Sequence, residues 1–242
     1  MSENIFGLTI TDDKELDEAQ CQHLLSENRK YQEVMLEYRC ALKVIVTRLE
    51  NLDEEFSLRH DRNPIENIKS RLKSPTSIMN KMKKLNLPFD FASMSTNILD
   101  VAGVRVVCSF EEDVYFLAKC LKAQSDIEVM VEKDYIAHPK ENGYRSLHLT
   151  VKVPIYLAGK EVKVPVEIQL RTIAMDFWAS LEHNIRYKKD FPRNEIVETE
   201  LKECALSTRD LDKKMERLFT FSLGEIIKKR TIARHLSKHK YV

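Results

Sequence analysis

No run in this 242-residue chain approaches the roughly 18 apolar residues that a membrane-spanning helix needs. Nor does its start, MSENIFGLTITDDKELDE, show the basic-then-apolar order of a secretory signal. A cytoplasmic protein is the expectation. Its five cysteines (Cys21, Cys40, Cys108, Cys120, Cys204) are odd in number and scattered, with no CxxC and no zinc-like His/Cys spacing. That excludes a disulfide framework and a structural zinc, and leaves reduced thiols. No internal repeat or low-complexity segment is present, which excludes a solenoid or a disordered linker. Neither sign of charge prevails, since 39 Lys+Arg face 38 Asp+Glu, and 43% hydrophobic content is enough for one sizeable core.

One absence is local. Residues 67–89 contain no acid, yet hold Arg71, Lys73, Lys81, Lys83 and Lys84. Within this stretch Ser74-Pro75 reads as a helix N-cap followed by an N1 proline. The helix it opens would carry Ser77 and Lys81 on one face and bury Ile78, Met82 and Leu85 on another. Its free N-terminal N–H groups suit a polyphosphate. A solvated basic helix or an unspecific RNA-binding patch explains the segment taken alone about as well.

Downstream, LDVAGVRVVCSF (residues 99–110) sets Asp100 before an apolar strand from which Arg105 emerges between two valines. A carboxylate so placed can hold Mg2+ beside phosphate oxygens, and a planar guanidinium can lie on an adenine. The tract HPKENGYRSLH (residues 138–148) then supplies a turn at Asn142-Gly143 that presents Tyr144, flanked by Lys140 and Arg145. A Tyr face stacks a base for about 1–3 kcal/mol without base-specific hydrogen bonds. On a strand over residues 145–153, Ser146, His148, Thr150 and Lys152 share the polar face. On the next, Glu167, Gln169 and Arg171 alternate with Val166, Ile168 and Leu170. Ala158-Gly159-Lys160 joins the two as a hairpin.

Four segments in order, RxKxxxSxxxK (Arg71 to Lys81), DxAGxR (Asp100 to Arg105), KxNGYRSLH (Lys140 to His148) and ExQxR (Glu167 to Arg171), resemble the motifs of RelA/SpoT-type (p)ppGpp synthetases over residues 60–190. Long members of that family carry hydrolase and regulatory domains that 242 residues cannot hold, so the chain resembles a small alarmone synthetase. The resemblance implies transfer of the β,γ-pyrophosphoryl group of ATP to the ribose 3′-hydroxyl of GDP or GTP, with release of AMP, in a bacterial stress response. It also implies an ATP site of Arg71, Lys73, Ser77, Lys81, Lys84 and Arg105. Asp100 and Glu167 become catalytic residues and Mg2+ ligands, with Glu167 either a ligand or the base for the 3′-hydroxyl. The GDP/GTP site comprises Lys140, Asn142, Tyr144, Arg145, His148, Gln169, Arg171 and Asp176. A homotetramer follows by the same resemblance. The same ATP site would permit an adenosine acceptor or a tRNA 3′ end. A silent nucleotide- or RNA-binding regulator would be expected to lack Asp100 or Glu167.

The implied fold is α+β, a mixed sheet of about five strands flanked by helices, with strands near residues 104–110, 127–133, 145–153 and 162–170. Residues 1–58 form an N-terminal helical extension, 59–190 the catalytic core and 191–242 a C-terminal helical extension. Apolar periodicity predicts one long helix over residues 24–56, two helices near the C-terminus, and a helix after Thr172 whose stripe is Met175, Trp178, Leu181 and Ile185. Trp178 reads as core, and His183 as a structural histidine. Residues 1–55 hold 13 acids against six bases, while residues 226–242 hold six bases and no acid. That asymmetry lets subunit ends meet or leaves a basic tail for RNA. The pair His60-Asp61 resembles a hydrolase motif but lacks the surrounding ligands such an enzyme needs.

Overall fold

The computed structural model describes residues 29–59, 62–186 and 195–238, with residues 223–238 as backbone alone. The first element, α1 (Arg29–Arg59), is a single uninterrupted helix. Its buried Tyr38, Ala41, Ile45 and Leu49 recur every three or four residues and place one face against the sheet. The expected helix over residues 24–56 is thus found from Arg29 onward. Residues 24–28, His60-Asp61 and Cys21 lie outside the described residues.

There follow β1 (Ile65–Leu72), α2 (Pro75–Lys84), α3 (Phe91–Asn97), β2 (Ala102–Cys108), α4 (Glu111–Lys122), β3 (Glu128–Asp134), β4 (Leu147–Leu157), β5 (Lys160–Thr172), α5 (Ile173–Arg186) and α6 (Glu195–Lys238). The sheet order is β1-β2-β5-β4-β3, and only β2 and β5 run parallel. A parallel pair needs a crossover, which the intervening α4, β3 and β4 provide. Val104, Val106, Leu147, Leu149, Ile168 and Leu170 are all buried in one core with α1, α2 and α4. The α+β mixed sheet is therefore as expected. Among the described residues no helix is long and apolar enough to cross a membrane.

Local signals translated well. Ser74 caps α2 by accepting from Ser77 N at 3.2 Å, with Pro75 at the first helical position. Thr172 caps α5, its Oγ1 accepting from Met175 N at 3.2 Å. Trp178 is buried, and its Nε1 donates to Leu201 O at 2.9 Å. Cys40, Cys108, Cys120 and Cys204 are free thiols, and burial pushes Cys108 up to about 12.

Other expectations are corrected. Leu85 is 48% exposed because it lies at the C-cap of α2, where Asn86 turns the chain with φ 51°; Met79 takes the inner position instead. Leu181 and Ile185 are exposed, so the inner stripe of α5 stops after Met175, Trp178 and Ala179. The C-terminal region forms one 44-residue helix instead of two, since it contains no proline and its lone Gly224 does not break it. The edge strand β1 occupies the first part of the basic stretch, where charge alone predicts no strand.

At the turn before β4, Gly143 has φ +88°, a conformation that L side chains rarely adopt. A Cβ built there would sit 2.4 Å from the Cβ of Ala205 on α6. Ala205 cannot yield without moving its helix. Gly143→Ala is accordingly expected to lower stability by about 1–3 kcal/mol, by overpacking and backbone strain together. An unchanged denaturation midpoint would contradict this close approach.

Candidate active site

Strand register assembles the site. Arg71, Gly103, Glu167 and Thr150 lie opposite one another across β1, β2, β5 and β4, and Lys69, Arg105, Gln169 and His148 form the neighbouring row. Period-two alternation turns both rows away from the core valines and leucines. Gly103 has no side chain to fill the middle of its row. A cavity of about 250 Å3 opens there, lined by Arg71, Asp100, Gly103, Arg105, Glu167 and Gln169.

Asp100 sits at one end, in the turn before β2. Its Oδ2 pairs with Lys73 Nζ at 2.6 Å and its Oδ1 with Lys81 Nζ at 2.8 Å. A backbone bond from Lys73 N to Val101 O, 2.8 Å, fixes the strand end to this turn. Burial pushes the Asp100 carboxyl up, but hydrogen bonds and charge from Lys73 and Lys81 outweigh it and hold the group below its ordinary value. It is therefore ionised at neutral pH.

At the other end five side chains close a ring. Arg171 Nη2 donates to the Tyr144 hydroxyl at 2.7 Å and to Gln169 Oε1 at 3.0 Å. Gln169 Nε2 donates to Glu167 Oε2 at 2.7 Å. The Tyr144 hydroxyl lies 2.8 Å from His148 Nε2, and His148 Nδ1 lies 3.4 Å from Glu167 Oε1. One assignment satisfies every member: the phenol, already accepting from Arg171, donates to Nε2, and Nδ1–H faces the carboxylate. Burial raises the Glu167 carboxyl, but His148 and then Gln169 lower it further than the nearby Asp100 charge lifts it. Glu167, too, is held below its ordinary value.

Asp176 joins the two ends. Its Oδ1 lies 3.2 Å from Arg105 Nη1 and 3.1 Å from Arg171 Nη1. Burial lowers Arg105, as do the charges of Arg171 and Arg71, with Asp176 in opposition. The Nε groups of Arg105 and Arg171 are buried without a hydrogen-bond partner. Crowded guanidinium groups with unused donors favour an oxygen-rich, anionic ligand.

Not every predicted residue joins this group. Arg145 turns inward, 6% exposed, and pairs with Glu111 on α4 and Asp212 on α6. It does not line the cavity. Asn142 holds its own turn, accepting from Tyr144 N at 3.2 Å and donating to Glu182 at 3.2 Å. Ser77 Oγ accepts from Ser74 Oγ at 2.8 Å. Lys84 lines a separate open groove with Lys140, Asn142 and Lys202. Tyr135 was missed. Its ring meets His148 edge-on at 5.2 Å and Tyr144 at 6.0 Å, and Lys140 Nζ lies within 5 Å of both tyrosine rings. The signal was an aromatic at the end of β3, just before the HPKENGY tract.

Residues 70–191 match the family described as a region found in RelA and SpoT proteins. The chain is 45% identical over 183 residues to GTP pyrophosphokinase YwaC of Bacillus subtilis (strain 168), a match covering 75% of this chain and 86% of that protein. The crystal structure of the small alarmone synthetase 1 from Bacillus subtilis bound to its product pppGpp matches with a TM-score of 0.74 and 32% identity, over 80% of this chain and 98% of that one. The same synthetase bound to AMPCPP matches with a TM-score of 0.69 and 28% identity, over 81% and 100%. The matched region contains Arg71 at the end of β1 and all of β2 and β5, whose residues line the cavity, and the chain belongs to the RelA/SpoT family.

Proposed function

We propose that this chain is a GTP pyrophosphokinase that makes (p)ppGpp, transferring the β,γ-pyrophosphoryl group of ATP to the ribose 3′-hydroxyl of GDP or GTP and releasing AMP. The observation that carries this reading is the facing of Asp100, held by two lysines, and the Glu167 ring across a gap that Gly103 leaves open. Relatives bound to pppGpp and to AMPCPP support two nucleotide seats in such a cavity.

Lys73 and Lys81 hold the ATP phosphates, helped by the positive dipole end of α2, while Arg71 and Arg105 flank the adenine. Tyr144 stacks the guanine. O3′ attacks the β-phosphorus as the bond to the α,β-bridging oxygen breaks, so AMP leaves with that oxygen. Glu167 takes the 3′-hydroxyl proton. Negative charge growing on the transferred oxygens meets lysines and guanidinium groups already in place, the main help this chemistry can receive.

Asp100 and Glu167 also fit Mg2+, which favours one or two carboxylates with phosphate oxygens and waters completing its shell. Both are ionised and line one cavity, while the described residues hold no cluster of three or more ligands that would make an all-protein cage. When bound there, the ion would neutralise phosphate charge.

Purified protein incubated with Mg2+, γ-labelled ATP and GDP or GTP should give labelled ppGpp or pppGpp and one unlabelled AMP per product. Label appearing only as orthophosphate would refute the transfer. Tyr144→Ala should raise the acceptor KM by about 5- to 150-fold, the equivalent of about 1–3 kcal/mol of stacking. Tyr144→Phe should cost less, since it keeps the ring and loses only the hydroxyl between Arg171 and His148. Equal effects would show that the hydroxyl, and not the ring, carries Tyr144's role.

Exposed Ile173, Phe177 and Leu181 on α5, with Leu211, Met215 and Leu218 on α6, support self-association, which the family resemblance makes a homotetramer. A monomer by light scattering at micromolar concentration would end that expectation. The nucleotide substrates suit a cytoplasmic enzyme.

A further inference from the structure

The C-terminal helix carries a buried carboxylate outside the ring and outside the cavity. Asp212, on α6, is 7% exposed. Its Oδ2 accepts from Thr172 Oγ1 at 2.7 Å and lies 4.0 Å from Arg145 Nη1. Thr172 immediately follows Arg171, and Arg145 immediately follows Tyr144. Arg171 and Tyr144 are themselves hydrogen-bonded at 2.7 Å on the substrate side. A single carboxylate thus grips, from behind, the next residue along from each of two ring members.

The same helix touches this region twice more. Leu201 O accepts from Trp178 of α5, and Ala205 packs on Gly143. Leu201, Ala205 and Asp212 are spaced four and seven residues apart, so they share one face of α6. That face bridges the turn that presents Tyr144 and the helix that begins just after Arg171.

Stability alone is a poor reason for such a group. A buried carboxylate is expensive even when paired, and an apolar residue of similar size is often neutral or better. Burial pushes the Asp212 carboxyl above its ordinary value. Thr172 and Arg145 oppose that rise, while Glu111 and Glu216 add to it. What the carboxylate does supply is direction, fixing the Thr172 hydroxyl by a hydrogen bond and drawing on the Arg145 guanidinium, which Glu111 holds, by charge.

We infer that Asp212 is a positioning residue for the acceptor nucleotide, setting the spacing of Tyr144 and Arg171 from the side of the sheet end that faces away from the substrate. The inference rests on the acceptor reading of Tyr144 given above. Loss of the grip lets the Tyr144 turn and the end of β5 drift apart, which loosens Arg171 from the phenol and from Gln169. The effect falls on the acceptor and spares the ATP phosphates, whose lysines lie on α2 and just after β1.

The test is steady-state kinetics of the full chain carrying Asp212→Leu, Thr172→Val, Thr172→Ser or the Asp212→Leu/Thr172→Val pair. Thr172→Val exchanges one oxygen for a methyl group, so it probes the same link should Asp212→Leu fail to fold. Either single change should raise the KM for GDP or GTP about tenfold, within the range of about 10²-fold that a misplacement of ~1 Å can cost, and leave the KM for ATP within about twofold. Thr172→Ser, which keeps the hydroxyl, should behave as the parent. The pair should fall well short of the product of the single effects, because both remove the Thr172–Asp212 bond, although Thr172→Val also loses the α5 cap and Asp212→Leu the pairing with Arg145. Acceptor and ATP constants rising together, an unchanged acceptor KM, or fully additive effects would each overturn the inference. Tyr144→Ala measured alongside separates the two readings. If it raises the acceptor KM and Thr172→Val does not, positioning fails alone; if it leaves the acceptor KM unchanged, the acceptor reading fails and this inference with it.

Discussion

Asp100→Asn is expected to lower (p)ppGpp synthesis by about 10³-fold or more, since loss of a single preorganised electrostatic contact already costs about 10²- to 10³-fold. Asp100 carries two roles at once. In the free protein its two oxygens hold Lys73 and Lys81 at 2.6 and 2.8 Å, in the positions from which those ammonium groups meet phosphate. An amide offers one oxygen in place of two, so one lysine is left facing an N–H2 donor. The carboxylate charge that would hold Mg2+ is lost as well. Stability should fall by about 1–3 kcal/mol, the range for a charged hydrogen bond lost, with solvent screening reducing it at half-exposed Lys81. The sign with pH is fixed by the depressed Asp100 carboxyl. Its stabilisation is fully present above the ordinary carboxylate range and is lost as pH falls through the lower folded value. The difference in melting temperature between parent and variant should therefore close on acidification. Turnover near that of the parent would remove Asp100 from the chemistry.

What was legible in the sequence was local or periodic. The cap at Ser74-Pro75, the cap at Thr172 and the β4–β5 hairpin depend on neighbours within a few residues, and all three are present. The alternation that sets Glu167, Gln169 and Arg171 on one face likewise follows from strand geometry alone. Their meeting with Arg105 and Asp100 does not. It needs the parallel pairing of β2 with β5, a contact across more than fifty residues that no local pattern encodes. The four motifs were legible only by resemblance. Arg145 misled because a basic residue beside Tyr144 suggests phosphate, whereas its partners Glu111 and Asp212 lie far along the chain and claim it for the interior. The edge strand β1 escaped because Ile65–Leu72 buries little beyond its first residue, so it lacks the alternation that marks a half-buried strand. Leu181 and Ile185 continue the apolar period of α5 yet are exposed among the described residues, and periodicity cannot say whether a partner comes from the same chain or from another copy.

Glu167→Gln is the second change expected to cut turnover heavily, by about 10²- to 10⁴-fold, the usual worth of a positioned acid or base. The two side chains are nearly the same size. Their hydrogen bonding is not, because both Glu167 oxygens face donors, Gln169 Nε2 at 2.7 Å and His148 Nδ1 at 3.4 Å. A glutamine must point its amide nitrogen at one of them. Either His148 changes tautomer and gives up the hydrogen bond it accepts from the Tyr144 hydroxyl, or Gln169 turns and releases Arg171, so the ring's hydrogen bonding is reversed or broken. Nucleotide KM values should move less than kcat, since stacking on Tyr144 and the lysines around Asp100 survive. Because Glu167 is held below its ordinary value of 4.5, it is ionised throughout the neutral range. Any acid limb it causes in the kcat profile lies below that value and vanishes in the variant. The two roles open to Glu167 then separate by spectroscopy. Mn2+ affinity of the AMPCPP complex, read by electron paramagnetic resonance, stays at the parental level if Glu167 only takes the 3′-hydroxyl proton, and falls with kcat if it is also a ligand. Parental turnover together with parental Mn2+ affinity would leave Glu167 with neither role.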